Sequence, residues 1–211
     1  MRDHREEIIA VTHALDDAGM VPNKSGNVSC RAAGGFAITP AGVAYRELVP
    51  AHIVTLPLDA PVPAVEPRPS SEWRMHAAIY RARPEVMAII HTHSPRATAL
   101  AAAGRGIPPF HYMIALAGGD VRCMPYATFG TSELADSAVR GLAGRRACLL
   151  GNHGVMAVGD SLARAHAVAV EVENLADAYL SMLSAGLVPQ LLDDAEIQQV
   201  IARFTDYGRL G

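Results

Sequence analysis

The run Met87-Ala88-Ile89-Ile90-His91-Thr92-His93 decides how the rest of the chain is read. From Met87 to Ile90 it is apolar or small, the mark of a buried strand, and a strand turns alternate side chains to one face. His91 and His93 therefore emerge side by side at its end. Two imidazoles on one face can share a metal ion, and the best-placed third lies in Gly151-Asn152-His153-Gly154, after the apolar run Ala147 to Leu150. Three histidines with an open fourth position make the catalytic form of a zinc site, whereas structural sites are closed by four protein ligands. Taken alone, His-x-His fits a pair of polar residues past a strand equally well; His153 adds weight to ligation.

Upstream of this strand, Ser70-Ser71-Glu72 opens a helix that runs to about Arg83, where Pro84 ends it. Earlier still, Ile8, Val11, Leu15 and Ala18 recur at three- and four-residue steps before Gly19, which predicts an amphipathic first helix. Residues 26–31 and 35–39 read as a hairpin across Ala32-Ala33-Gly34, and Ile53 to Leu58 as a third strand. The Pro-rich tract from Pro61 through Pro69 can continue neither sheet nor helix and reads as a loop.

Downstream, Pro95 to Ala103 reads as an Ala-rich helix, His111 to Ala117 as a short one ending at Gly118-Gly119, and Val121 to Met124 as a strand. Ser132 to Leu142 is a helix, and Arg146 to Leu150 and Val155 to Val158 are strands around the Asn-His-Gly turn. Leu162 to Ala185 keeps helical spacing throughout, and a last helix spans roughly Ala195 to Phe204. Strands and helices interleave without a repeat and with hairpins as well as crossovers. The expectation is one layered α/β domain over residues 1–211, with a central mixed, largely antiparallel sheet flanked by helices.

Half of the 211 residues are hydrophobic and 18% are charged, a globular composition, and a net charge of −3 with scattered basic residues leaves no footprint for nucleic acid. Any bound anion must be held by local groups. Cys30, Cys123 and Cys148 are far apart and never form Cys-x-x-Cys, which suggests neither a disulfide framework nor a thiolate zinc site. The charged start Arg2-Asp3-His4-Arg5-Glu6-Glu7 lacks a signal-peptide core and no apolar run approaches a membrane span of ~20 residues, so a cytoplasmic protein without membrane or nucleic-acid partners is expected.

Glu72 has two readings, an acid complementing the dipole at a helix N-terminus or a general acid and base beside the metal. Gly26-Asn27 and Ser70-Ser71 are candidates for an anion cradle, since glycine lets backbone N–H groups approach and hydroxyls at a helix start add donors; turn and cap roles explain them equally well. His4, His13, His52, His76 and His166 lack metal spacing and read as surface or core residues.

Taken together, several stretches carry a resemblance: Ser25-Gly26-Asn27-Val28-Ser29, Ile38-Thr39-Pro40, Pro69-Ser70-Ser71-Glu72-Trp73-Arg74, His91-x-His93, His111-Tyr112-Met113-Ile114-Ala115, Pro125-Tyr126-Ala127-Thr128-Phe129-Gly130-Thr131, His153-Gly154 and Tyr207-Gly208. In this order they resemble the class II aldolases of the adducin-related superfamily, most closely the L-fuculose-1-phosphate aldolases, over nearly the whole chain. The resemblance implies that His91, His93 and His153 bind zinc, with Glu72 able to take the fourth position when substrate is absent. It implies that Gly26, Asn27, Gly42, Ser70 and Ser71 hold a substrate phosphate, and that Phe129 and Tyr207 wall the aldehyde end. It further implies a homotetramer with active sites at subunit interfaces, across which Tyr112 acts as a catalytic residue beside Glu72.

The implied reaction is reversible cleavage of a ketose 1-phosphate, L-fuculose 1-phosphate or a related 5-deoxypentulose 1-phosphate, to dihydroxyacetone phosphate and an aldehyde through a metal-stabilised enediolate. Two alternatives stay open. One is another sugar-phosphate reaction on the same scaffold: 4-epimerisation, dehydration of methylthioribulose 1-phosphate, or decarboxylation. The other is a non-catalytic interaction module like the head of adducin. Two departures bear on the phosphate: Ala41 stands where the resembling aldolases carry a threonine, and Lys24, the single lysine, precedes Ser25-Gly26-Asn27. Either Lys24 compensates for the missing hydroxyl by contacting the phosphate, or phosphate specificity is lost outright.

Overall fold

The computed structural model describes residues 3–59 and 64–207, with the side chains of residues 205–207 left outside the description. Its middle layer is a seven-stranded sheet made of β1 (Asn27–Ala32), β2 (Gly35–Ile38), β3 (Val54–Pro57), β4 (Ala88–Thr92), β5 (Arg122–Met124), β6 (Ala147–Leu150) and β7 (Gly154–Gly159). In space the order is β3-β2-β1-β4-β7-β6-β5. Every neighbouring pair is antiparallel except β5 and β6, which run parallel at the edge. This is the mixed, largely antiparallel sheet that the alternation of strand and helix patterns implies.

Among the described residues there are six α-helices: α1 (Arg5–Asp17), α2 (Trp73–Ala82), α3 (Pro95–Ala102), α4 (Ser132–Gly141), α5 (Leu162–Ser184) and α6 (Asp194–Tyr207). Their starts follow the residues present. Thr131 and Ser161 lend side-chain oxygens to the N–H groups of Leu134 and Arg164, at 3.3 and 3.2 Å, and so cap α4 and α5. None of the helices among the described residues is long and apolar enough to cross a membrane.

Side-chain alternation divides the interior into two cores. Val28 and Cys30 of β1, Ala88 and Ile90 of β4, and Val155 and Ala157 of β7 pack against α1, α3 and α5. Ile89 of β4 and Met156 and Val158 of β7 turn the other way, against α2 and α4. By the same parity Asn27, Ser29 and His91 belong to the α2 face, where they bury polar atoms inside an otherwise apolar layer. Such atoms need partners, and those partners come from α2.

Two local details differ from the sequence reading. The segment expected as a short helix from His111 is a 3-10 helix, Tyr112–Ala117, closed by Gly118 at φ 86°, a left-handed conformation that glycine adopts without steric cost. His111 sits outside it and caps it, Nδ1 accepting from the Met113 N–H at 3.3 Å. At the start of α2, Glu72 is the flanking residue and its side chain makes no cap hydrogen bond; the carboxylate points elsewhere. The Pro-rich tract is described from residue 64 onward, where Pro69 bridges to Pro40 and draws the loop over the sheet edge toward the start of α2.

Candidate functional site

The carboxylate of Glu72 points into a cluster of imidazoles. Glu72, His91, His93 and His153 offer four ligand atoms that all lie within 4.8 Å of one another. Three separate pieces of chain deliver them: His91 and His93 come from the C-terminal half of β4 and the residue just after it, His153 from the β6–β7 turn, and Glu72 from the N-terminus of α2. The turn is shaped by Asn152, held at φ 53°, which aims the next residue back over the sheet. Gly154 then brings β7 so close that a Cβ there would stand 2.3 Å from the Thr92 carbonyl oxygen and 2.9 Å from the His93 ring.

Ring geometry matches a shared donor set. The three imidazoles meet edge to face, with centroids 4.8 to 4.9 Å apart. His91 Nδ1 lies 2.9 Å from the Val155 carbonyl oxygen, which only an N–H can satisfy, so the proton sits on Nδ1 and Nε2 presents a lone pair. That Nε2 is 3.0 Å from His93 Nε2 and 3.2 Å from Glu72 Oε2. Glu72 Oε1 lies 3.1 Å from His153 Nε2 without hydrogen-bond geometry and is a buried oxygen with no donor. Three nitrogens and one orphaned carboxylate oxygen converging on a point form a donor set that suits zinc and similar divalent ions.

Electrostatics set the protonation of the cluster. Burial opposes ionisation of Glu72, but the adjacent His91 and His153 outweigh it and hold its carboxyl well below the usual range. Burial pushes His93 down to about 4, with repulsion from His91 and His153 adding to it, which keeps this ring neutral. His91 is pulled both ways: burial lowers it, and the adjacent Glu72 charge raises it above its ordinary value.

The cluster opens on a cavity of about 390 Å³, within the range of small-molecule sites. It is also lined by Lys24, Ser25, Gly26, Asn27, Gly42, Ser70 and Ser71, and by the exposed rings of Tyr126 and Phe129 at its mouth. Gly26 is pinned by Tyr45, whose hydroxyl accepts from its N–H at 3.0 Å and donates to its carbonyl at 2.5 Å. Gly42 turns at φ 79°, a left-handed conformation that suits glycine. Lys24 and its neighbour Asn23 also have positive φ, at 61° and 56°, an uncommon backbone for side-chain-bearing residues, and Lys24 Nζ reaches to 3.5 Å from the Gly42 carbonyl oxygen.

The structure therefore gathers nearly every residue singled out in the sequence. Phe129 stands two-thirds exposed at the mouth. Tyr112 is outside the cavity lining: half exposed on the 3-10 helix, its ring lies 6.3 Å from that of Phe204 of α6. Tyr207 closes α6, and its side chain lies outside the described residues.

His76, read as a surface or core residue, is a core one, and sequence spacing missed its polar partners. It is fully buried, with Nε2 2.5 Å from Asn27 Oδ1 and Nδ1 2.7 Å from Ser29 Oγ. Asn27 in turn donates from Nδ2 to Glu72 Oε2 at 3.0 Å. A signal was present in the four-residue steps Glu72, His76, Tyr80 and the two-residue step Asn27, Ser29, a helix stripe facing a strand stripe. Tyr45 and Ser25 were missed too; the Ser25 hydroxyl is buried on the cavity wall without a protein partner.

Residues 6–180 match the family described as the class II aldolase and adducin N-terminal domain. The chain is 45% identical over 209 residues to the 5-methylthioribulose-1-phosphate/5-deoxyribulose-1-phosphate aldolase of Rhodospirillum rubrum, covering 95% of this chain and 93% of that one. It is 41% identical over 204 residues to the L-fuculose phosphate aldolase of Escherichia coli, covering 96% and 94%. A solved L-fuculose 1-phosphate aldolase superimposes with a TM-score of 0.92 at 38% identity, over 97% of both chains.

Proposed function

Given that this chain belongs to the class II aldolase and adducin N-terminal domain family and is a carbon–carbon lyase, we propose that it cleaves a 5-deoxypentulose 1-phosphate or L-fuculose 1-phosphate to dihydroxyacetone phosphate and an aldehyde. One observation carries this reading. The histidine and glutamate cluster shares one cavity with glycines, serines and Lys24, so one small phosphorylated ketose could reach both the metal-type donor set and an anion cradle.

Each end has a physical logic. Ser70 and Ser71 stand at the start of α2, where helix dipole and hydroxyls favour an anion, and Gly26 and Gly42 let backbone approach it. Asn27 has two amide donors; one serves Glu72, and the other remains for the phosphate. Lys24 supplies the full positive charge of this end, in the place of the hydroxyl that Ala41 lacks. Phe129 and Tyr126 offer apolar rings at the mouth, which suits an aldehyde ending in a methyl or methylthio group. Tyr207 completes that end in the same reading.

His91, His93 and His153 would hold zinc, with Glu72 as the fourth ligand before substrate arrives. When bound, zinc supplies Lewis-acid stabilisation of the negative charge that carbon–carbon cleavage leaves on the dihydroxyacetone phosphate half. Glu72 then carries the proton at C3, shuttling it between that carbon and its carboxylate. Tyr112 of the neighbouring subunit in a homotetramer handles the proton at the C4 oxygen, and its exposed position outside the cavity of its own chain favours a role at the partner's site. No Schiff base is invoked, because the single lysine, Lys24, belongs to the anion end. The same reading places the enzyme in the cytoplasm.

The test is to incubate zinc-loaded protein with 5-deoxyribulose, methylthioribulose and L-fuculose 1-phosphates, and to measure dihydroxyacetone phosphate and the released aldehyde. Dihydroxyacetone phosphate from at least one is expected, lost on chelation and restored by zinc. An epimerised, dehydrated or decarboxylated product, or turnover unaffected by chelation, would overturn it.

A further inference from the structure

The stripe Glu72, His76 and Tyr80 on α2 meets the stripe Asn27 and Ser29 on β1 in a continuous run of hydrogen bonds. Every member is less than a tenth exposed. The donor direction of the whole run follows from its last acceptor. A carboxylate can only accept, so the Asn27 group facing Glu72 Oε2 at 3.0 Å must be the amide N–H. That leaves Asn27 Oδ1 toward His76, so the proton there belongs to His76 Nε2, at 2.5 Å. A neutral ring has one N–H, so Nδ1 accepts, and Ser29 must donate to it across 2.7 Å. The Ser29 oxygen is then free to accept from the Tyr80 hydroxyl at 2.9 Å.

Burial holds His76 down at about 3, which agrees with a neutral ring. Nothing along the run needs a charge other than that of Glu72. Its end is asymmetric: Oε2 is taken by Asn27, and Oε1, buried and without a donor, is left facing His153 at 3.1 Å.

We propose that His76 is a positioning residue that locks the Asn27 amide in the one orientation that holds Glu72 over the three histidines with Oε1 presented to a bound cation. This rests on the reading of the cluster as a metal site, and gives the buried polar layer behind it a purpose beyond packing. Without the His76 N–H, Asn27 Oδ1 has no donor and the amide can turn. A turned amide sets oxygen against carboxylate, and Glu72 moves away from the cluster.

The experiment compares His76→Leu with His76→Gln by titrating each metal-free protein with Co²⁺ and following its visible absorption, with no substrate present. Leucine fills the space without a donor; glutamine places an amide N–H where imidazole Nε2–H was. His76→Leu is expected to bind Co²⁺ about 10-fold more weakly with an altered band shape, the scale at which groups supporting metal ligands act. His76→Gln is expected to stay within about threefold of the wild type by the same scale. Wild-type affinity and spectrum in His76→Leu, or equal losses in both variants, would overturn the proposal, the second outcome leaving only a packing role. Should His76→Leu not fold, Asn27→Ala removes the amide through which His76 acts on Glu72, and unchanged Co²⁺ affinity in that variant would overturn it equally. If the wild-type protein binds no Co²⁺, the metal-site reading itself fails.

Discussion

Lys24 Nζ lies 3.5 Å from the carbonyl oxygen of Gly42, so the chain's single lysine stands over the glycine and serine wall of the cavity. The backbone that places it there is left-handed at both Asn23 and Lys24, a conformation maintained only where the surrounding structure imposes it. Replacing Lys24 by alanine should raise KM for the phosphorylated ketose about 10-fold at most, since a hydrogen bond to a charged group is worth roughly 1.5–3 kcal/mol and this exposed one is screened by solvent. kcat should change little. An unchanged KM would remove Lys24 from the anion site.

Gly154 is the tightest point of the histidine cluster. A methyl group there meets the Thr92 backbone and the His93 ring, neither of which can give way without moving a ligand atom. If the cluster holds zinc as proposed, Gly154→Ala should therefore lose it on gel filtration and retain less than about a hundredth of the activity, in keeping with the sensitivity of catalysis to misplacements near 1 Å. Full zinc content by elemental analysis would show that β7 can shift without disturbing the site.

Glu72→Gln keeps the shape of the side chain and removes its charge and its capacity to carry a proton. Exchange of deuterium into C3 of dihydroxyacetone phosphate, followed by NMR, should slow by about 10²–10⁴-fold, the usual worth of a general acid–base group. Near-normal exchange would assign the proton transfer to another residue.

Tyr112→Phe should lower kcat by about 10²-fold or more, if it serves as the acid–base group for the C4 oxygen. Because Tyr112 is proposed to act in the partner's site, co-assembled Tyr112→Phe and Glu72→Gln subunits should recover activity that neither parent has. Mixed assemblies no more active than the parents would place both residues in one subunit's site or in none.

Helices and strands are legible in this sequence because their periods are local. Leu162 to Ala185 keeps helical spacing over its whole length, and α5 spans Leu162–Ser184; Ala88 to Ile90 is continuous apolar chain, and β4 is buried on both faces. Within the site, His91 and His93 are legible as a pair from two-residue alternation. The role of His76 is not, because its partners Asn27 and Ser29 lie more than forty residues away in the chain and no local period links them. Nor does the sequence reveal where the Glu72 carboxylate points, since an acid complementing the helix dipole and a carboxylate turned into a histidine cluster use the same residue type in the same place.

The sequence by itself determined the elements, the alternation that turns Asn27, Ser29 and His91 to one face, and the residue types able to hold a cation and a phosphate. Tertiary structure alone decided that Asn27 pairs with His91 across the β1–β4 ladder, that α2 lies on that face with Glu72 and His76 toward it, and that the β6–β7 turn returns His153 to the same point. The reason is physical: strand register and helix docking are fixed by packing between segments remote in sequence, and a buried carboxylate then dictates, bond by bond, which way each polar group behind it must face.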